Sequence, residues 1–307
     1  MQPYTRELKL MGNNFALTVV AKDAETAHTQ IDSAVAEIRR IENLLSTFKS
    51  DSQATLINNN AGLQPVTVDA EVLGLIERCS AISKITQGAF DITYGGVDKT
   101  LWNFDKAMTA LPSPAEALKS VHLINYQNII IDKHNSTVFL KEKGMRIGFG
   151  GIGKGYGAER AKEVLQKNNV QSALINASGD LTAWGLQPSG KPWTVGISDP
   201  DRPDKIFSYL NITGKAVATS GNYEKFVMIG GKKYSHTIDP KTGLPVHGIK
   251  SVTILCDNAE FADAMATPIN VMGIQAGLYL INQLAGVHCI IIDDNNKLYT
   301  SKHINLT

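Results

Sequence analysis

The sequence predicts an α+β fold, on three observations. Long amphipathic stretches are mixed with short strand candidates outside any strict strand–helix–strand alternation, which argues against a doubly wound parallel sheet. Beyond residue 173 the chain becomes mostly short β segments separated by turn residues. The glycine-rich stretch MRIGFGGIGKGYGAERAKEVL, residues 145–165, falls mid-chain rather than opening a first nucleotide-binding unit.

The elements follow in order. Leu8 to Ala21 alternates and is rich in Leu, Phe and Val, so it reads as a strand, or as a hairpin with a bulge at Gly12-Asn13-Asn14. Asp23 to Leu45 is a long amphipathic helix carrying Ile31, Val35, Ile38, Ile41 and Leu45 on one face. Ser46 to Asn60 is polar and turn-rich, and Phe48 within it is either a capping hydrophobe or a stacking surface. Val68 to Thr86 is a second helix with Asp69 as its cap. Trp102, Phe104, Pro112 and Pro114 mark a long loop. Asn128–Asp132 and Thr137–Leu140 form a hairpin through His134-Asn135. A helix then runs from the glycine motif to about Asn168, and Ala173–Asn176 is a strand whose NASGD end, Asn176 to Asp180, reads as a terminating turn or as polar groups placed at a sheet's carboxyl end. Trp193–Ile197, Ser208–Ile212, Ala216–Thr219, Lys225–Ile229, Lys233–Ser235 and Ser251–Cys256 are short strands. Ala259–Met272 and Gln275–Leu284 are helices, and His288–Asp293 with Lys297–Ser301 closes the chain. Two helix-plus-hairpin halves suggest a pseudo-duplication within one domain spanning residues 1–307.

Composition narrows the function. With 43% apolar residues, 19% charged residues and a net charge of +1, no basic surplus points to nucleic acid or anionic lipid. Cys79, Cys256 and Cys289 are odd in number, far apart and flanked by apolar residues, which fits buried thiols. There is no apolar run long enough for a membrane span, and MQPYTRELKL does not read as a signal peptide.

Gly148, Gly150 and Gly153 spell G-x-G-x-x-G, but no acidic ribose partner follows at the distance a dinucleotide site needs. An NAD-dependent oxidoreductase therefore rests on the literal motif alone. Gly148 to Lys154 also reads G-x-x-x-x-G-K, yet Gly155 stands where a Walker loop has its Mg²⁺-binding hydroxyl. Neither nucleotide fold is supported. What remains is a strand, a glycine turn and a helix start, the arrangement that offers backbone N–H groups and positive helix charge to a phosphate. A glycine-rich turn that merely permits close packing is the alternative.

Other residues suit chemistry. Asp263 and Thr267 lie one helical turn apart on one face and offer hard oxygen ligands to Mg²⁺, although an Asp near a helix start also serves as a surface cap. His236 precedes a turn in YSHTIDPKTG, where a histidine can accept a proton near neutral pH or simply be surface. Ser220, in TSGNY, lacks a nucleophile-elbow motif.

Taken together, these segments resemble the ApbE family of flavin transferases. The matching blocks are Met11-Gly12, Leu45-Ser46-Thr47-Phe48 with Ser52, Gly88-Ala89-Phe90-Asp91, Gly150-Gly151-Ile152-Gly153-Lys154-Gly155-Tyr156 and Asn176 to Asp180. Thr219 to Tyr223, Ser235 to Pro240 with Thr242-Gly243, and Ala262-Asp263-Ala264 with Thr267 complete the set, so the likeness spans nearly the whole chain. The resemblance implies a T-fold-like α+β architecture of two intertwined lobes with the cofactor cleft between them. It implies a Mg²⁺-dependent FAD:protein FMN transferase that splits FAD, releases AMP and esterifies FMN to a threonine of an acceptor protein, a subunit of a membrane redox complex. The FAD pyrophosphatase, with water as acceptor, and a non-catalytic FAD-binding protein are the alternatives.

By the same resemblance, Asp263 and Thr267 are metal ligands through their side chains and Gly153 through its carbonyl. Met11, Phe48, Ala89, Phe90, Asp91, Gly150, Tyr156 and Ile238 line the flavin cofactor, and His236 is catalytic. Lys154 supplies a cation to the diphosphate. Phe48 replaces a frequent tyrosine, Gly148 stands where many members have Asp, and Gly153 replaces Ala, which leaves a carbonyl ligand intact. The implied location is the bacterial periplasm or cell envelope, with no lipid-anchor cysteine visible in this sequence.

Overall fold

Strands β1 (Gln2–Leu10) and β2 (Asn13–Ala21) pair from Gln2↔Ala21 to Leu10↔Asn13, making the first stretch a hairpin. Its two turn residues, Met11 at φ 50° and Gly12 at φ 73°, adopt the left-handed conformations that a tight hairpin requires. The structure is a computed structural model, and it describes residues 1–97, 101, 110–199, 202–221, 226–235, 237–302 and 304.

Helix α1 (Ala24–Leu45) opens on Asp23, whose carboxylate accepts the Thr26 N–H, and it buries the predicted stripe of Ile31, Val35, Ile38, Ile41 and Leu45. The polar segment after it is not all turn. It contains helix α2 (Gln53–Asn59), capped by Ser52. Seven residues with three asparagines nearby show no readable periodicity, so the helix depends on its tertiary contacts. Strand β3 (Val66–Thr67) precedes helix α3 (Ala70–Ile85), where Asp69 holds the N-cap position but makes no side-chain capping bond. The expected proline loop also contains a helix. Pro114 lies in the first turn of α4 (Pro114–Ser120), and Ser113 and Glu116 close a capping box around it. Proline is harmless there because the first-turn N–H would be unbonded anyway. Trp102 and Phe104 lie outside the described residues.

The remaining elements follow the sequence more closely. Strands β4 (Ile129–Asp132) and β5 (Thr137–Leu140) join β3 in a three-stranded sheet of order β3-β5-β4. Helix α5 (Gly153–Lys167) leads to β6 (Ala173–Ala177) and β7 (Asp180–Trp184). The NASGD stretch is thus the turn of a further hairpin, with Ser178 and Gly179 at positive φ. Strands β8 (Thr194–Asp199) and β9 (Arg202–Asn211) pair with each other, as do β11 (Phe226–Ile229) and β12 (Lys232–Ser235). Between these hairpins lies β10 (Lys215–Gly221). Strand β13 (Ile249–Cys256), helices α6 (Ala259–Met272) and α7 (Ile274–Ile281), and strands β14 (His288–Asp293) and β15 (Leu298–Thr300) complete the chain.

One eight-stranded sheet organises these parts, in the order β1-β2-β6-β7-β10-β13-β14-β15, every pair antiparallel. Its residues alternate in the way a sheet covered on both faces requires. Phe15, Leu17, Val19, Ile175, Ala216, Ala218 and Ile291 face the helices and share their core, whereas Val20, Leu181, Val217 and Ile290 pack on the other face with Trp193 and Leu210. Helix α1 crosses β1 and β2, α5 crosses β6 and β7, and α6 crosses β7, β10 and β13. All three cysteines are buried and unpaired. Among the described residues no helix is long and apolar enough to cross a membrane.

Helices α5 and α6 approach too closely at Gly155 for any side chain. A Cβ there would sit 2.2 Å from the Ala259 carbonyl oxygen and 2.7 Å from Asp263 Cβ. Gly155→Ala is therefore expected to cost about 3 kcal/mol in denaturant unfolding, from backbone overlap. Gly148→Ala, with nothing within 4 Å of its Cβ position, should change stability by less than about 0.5 kcal/mol.

Candidate active site

The glycine turn is held by its lead-in. Asn58, buried on α2, accepts the Ile147 N–H at 2.7 Å and donates its side-chain amide to the Ile147 carbonyl at 2.9 Å. Gly148 N–H donates to the Ile92 carbonyl at 2.8 Å. The chain then bends, and Gly153 N–H closes onto the Phe149 carbonyl at 2.6 Å. No atom lies within 4 Å of the Cβ positions of Gly148 and Gly150, so the bend borders open space at the positive end of α5. Ile152 is the N-cap residue and supplies no side-chain cap.

The cap comes from another helix. Asp263 on α6 accepts the Gly155 N–H on Oδ2 at 2.9 Å, and its Oδ1 lies 3.1 Å from Lys154 Nζ. The same ammonium is 2.9 Å from Oδ2 of Asp180, at the start of β7. One turn beyond Asp263, Thr267 donates its hydroxyl to Ser220 Oγ on β10 at 3.4 Å. These contacts bring the first turn of α5, with Lys154, against Asp263, and Thr267 lies one turn further along α6. Met11 joins them: its methyl would lie 3.5 Å from a Cβ on Gly153 and its sulfur 3.0 Å from one on Gly157. Phe90 reaches the same turn, with its ring 3.7 Å from the Cβ position of Gly151.

A second group lies around the Ala89 loop. Asp91 is buried, and both of its oxygens are committed: Oδ1 accepts Thr93 N–H and hydroxyl, and Oδ2 accepts Tyr126 N–H. Burial raises its carboxyl above the ordinary value while these bonds oppose the rise. Asp91 therefore shapes the loop. Tyr94, in the same loop, accepts the Ile238 N–H on its hydroxyl at 3.2 Å, which ties the two loops together. Ala89 and Asp239 then line one cavity of about 620 Å³ with Val271 and Met272, at the end of α6. His236 lies outside the described residues.

Two expected flavin-lining residues stand apart. Phe48 is 99% exposed, which removes its reading as a capping hydrophobe. Tyr156 donates its hydroxyl to Glu71 on α3 at 2.5 Å. With Arg78 and Glu260 it lines a different cavity, of about 780 Å³, between α3, α5 and α6. Burial and the bond to Glu71 hold its hydroxyl well above the ordinary tyrosine value.

Sequence reasoning did not place Asp180 or Ser220 at the site. The signal for both was present in NASGD and TSGNY, but only the register of β7 with β10 turns these residues toward the helices. The electrostatics centre on Asp180, Lys154 and Asp263. Burial alone would lower the Lys154 ammonium, yet the two carboxylates raise it above its ordinary value. Burial and the charge of Asp263 push the Asp180 carboxyl up to about 7 against the pull of Lys154. Two carboxylates around one ammonium leave an excess of negative charge, and Asp180 Oδ2 has no aligned hydrogen bond. Such a site favours further positive charge. Among the described residues no three His, Cys, Asp or Glu side chains gather into a closed metal centre. The available donors are one carboxylate, one hydroxyl and a carbonyl, the sparse hard-oxygen set that suits Mg²⁺ sharing its shell with phosphate oxygens.

The chain is similar to known proteins over nearly its whole length. The chain is 30% identical over 300 residues to the FAD:protein FMN transferase of Klebsiella pneumoniae (strain 342), covering 97% of this chain and 92% of that protein. It is 29% identical over 320 residues to the FAD:protein FMN transferase of Treponema pallidum (strain Nichols), covering 99% and 88%. The crystal structure of the ApbE protein from Thermotoga maritima matches with a TM-score of 0.86 at 30% identity, over 98% of this chain and 97% of that one. The apo flavinyl transferase ApbE of Pseudomonas stutzeri matches with a TM-score of 0.84 at 26% identity, over 98% and 96%. The ApbE family model spans residues 11–291, both helix starts and the loops between them, and the chain belongs to the ApbE family.

Proposed function

We propose that this chain is an FAD:protein FMN transferase that uses Mg²⁺, cleaves the FAD diphosphate, releases AMP and joins FMN through a phosphoester to a threonine of an acceptor protein. The observation that carries the reading is the meeting of Lys154, Asp263 and the open glycine bend at the start of α5. A diphosphate is concentrated negative charge, and this is where backbone N–H groups, helix charge and an ammonium converge. Asp263, Thr267 and the Gly153 carbonyl would hold Mg²⁺. Bound there, the metal supplies charge neutralisation for the departing AMP oxygen.

The chain's own residues do the rest. Lys154 faces the phosphoryl oxygens with a cation that its carboxylate neighbours keep protonated. Met11 and Phe90 pack beside the glycine turn and, with Ala89, Asp91, Gly150 and Ile238, bound the flavin. Phe48 offers a free aromatic face, and Tyr156, buried against α3, acts through its bond to Glu71. His236 takes the proton from the acceptor threonine, whose hydroxyl is a weak nucleophile until deprotonated. The threonine oxygen bonds to the FMN phosphorus while the bridging oxygen leaves with AMP. The acceptor is a subunit of a membrane redox complex, and the enzyme works in the periplasm or cell envelope.

The decisive experiment incubates the protein with FAD, Mg²⁺ and a threonine-bearing acceptor, then weighs the acceptor by mass spectrometry. An FMN phosphoester on the threonine is expected, and AMP and free FMN in equal amounts with an unmodified acceptor would assign the pyrophosphatase reaction instead. Chelation of Mg²⁺ should stop AMP release, and added Mg²⁺ should restore it. Asp263→Ala is expected to lower Mg²⁺-dependent turnover on the order of 10³-fold, and undiminished activity at saturating Mg²⁺ removes it from the site. His236→Ala should bind FAD normally and transfer FMN on the order of 10²–10⁴-fold more slowly. A wild-type transfer rate in that variant would refute its role as base.

A further inference from the structure

Asp180 enters the reading above only as one of two carboxylates that keep Lys154 charged, yet it is the least exposed acidic residue among the described residues, at 4%. A carboxylate is costly to bury unless a partner compensates it. Its partner is the Lys154 ammonium, 2.9 Å from Oδ2. The contact with Lys154 is a charge pair rather than an aligned hydrogen bond. It reaches across from the sheet to the first turn of α5.

We infer that Asp180 is a positioning residue for FAD cleavage, holding the Lys154 ammonium at the glycine bend when Asp263 turns its Oδ1 to another cation. This rests on the proposal that the FAD diphosphate binds at that bend. Three features of the structure carry it. Strand β7 is interior to the eight-stranded sheet, between β6 and β10, so Asp180 is a fixed point while the Lys154 side chain is long and flexible. Asp263 holds Lys154 through Oδ1, the oxygen left over once Oδ2 has capped Gly155, and it is this oxygen that the proposed Mg²⁺ would take. A cation on that oxygen would repel the ammonium, and only a second carboxylate offsets the repulsion. Asp180 is that carboxylate. Its neighbour on the same strand face, Thr182, makes no hydrogen bond to it, so Lys154 is the side chain that compensates Asp180.

The test is a double-mutant cycle on FAD affinity. Flavin fluorescence is titrated with wild type, Asp180→Asn, Lys154→Met and the double variant at saturating Mg²⁺, with an FAD analogue whose bridging diphosphate oxygen is replaced by a methylene so that it stays intact. Riboflavin, which lacks the phosphates, is titrated in parallel. Removing a carboxylate from a phosphate site strengthens binding by simple charge in either background, whereas loss of positioning appears only when Lys154 is present. Asp180→Asn should therefore weaken FAD binding about tenfold with Lys154 in place and not at all in the Lys154→Met background. Riboflavin affinity should stay the same throughout. An equal effect of Asp180→Asn in both backgrounds, or a strengthening in both, would overturn the inference. Wild type that binds riboflavin but gains nothing from the diphosphate would sink the underlying reading as well, so the two failures are distinct. If Asp180→Asn does not fold, Asp180→Glu moves the carboxylate by one methylene, and the same comparison of backgrounds decides.

Discussion

The contact between Gly155 and Asp263 is the constraint from which the site follows. A helix start leaves N–H groups without partners, and α5 has no capping side chain of its own. Asp263 answers that need from α6, 2.9 Å from the Gly155 N–H, and the answer is possible only because residue 155 has no side chain. The two helices are thereby fixed at their closest approach. A negative group at the positive end of a helix is favourable in itself. Here it also brings Asp263 against the first turn of α5, beside Lys154, so one interaction both packs the helical layer and places the carboxylate proposed to hold the metal.

The sheet supplies what the helices cannot. Antiparallel pairing of β7 with β10 turns Asp180 and Ser220 to the helix-covered face, under Lys154 and Thr267. These polar groups interrupt a face that is otherwise Phe, Leu, Ile, Val and Ala. Their cost is met partly by mutual pairing and partly by the opening above the glycine bend, which keeps Lys154 from complete burial. Asp91 makes an instructive contrast. It is buried as well, but three hydrogen bonds within its own loop satisfy it, so it organises backbone and leaves no unbalanced charge.

Much of this was readable from sequence, and the reasons differ by element. Helix α6 appears with its predicted bounds because an apolar helical pattern follows an Asn cap and ends at Gly273, and β14 because His288–Asp293 is a short apolar run closed by a turn. Helices α2 and α4 were not readable, since seven residues are too few to show a period and their Asn and Pro residues signal turns. Strand order was also beyond local pattern: β10 lies between β7 and β13 through contacts distant in the chain. The i, i+4 spacing gave Asp263 and Thr267 as a pair, and family likeness gave them a role. Asp180 and Ser220 needed the register, which no window of sequence contains. Phe48 and Tyr156 show the converse, where likeness names a residue and only geometry says which way it points.

The two oxygens of Asp263 are not equivalent, and that inequality is the last step. Oδ2 is fixed by a backbone N–H that cannot move without moving α5, whereas Oδ1 faces only the end of a lysine side chain. A carboxylate gripped on one side has its other oxygen pointed in one direction before any ligand arrives. Exchange of the ammonium for another cation then leaves the helix cap intact and requires little rearrangement of the fold. Preorganisation of this kind is what electrostatic catalysis demands, because dipoles already in place need no reorganisation as charge develops on a departing oxygen. The close approach of α5 and α6 is thus a packing feature whose consequence is chemical: it sets the direction of one oxygen atom.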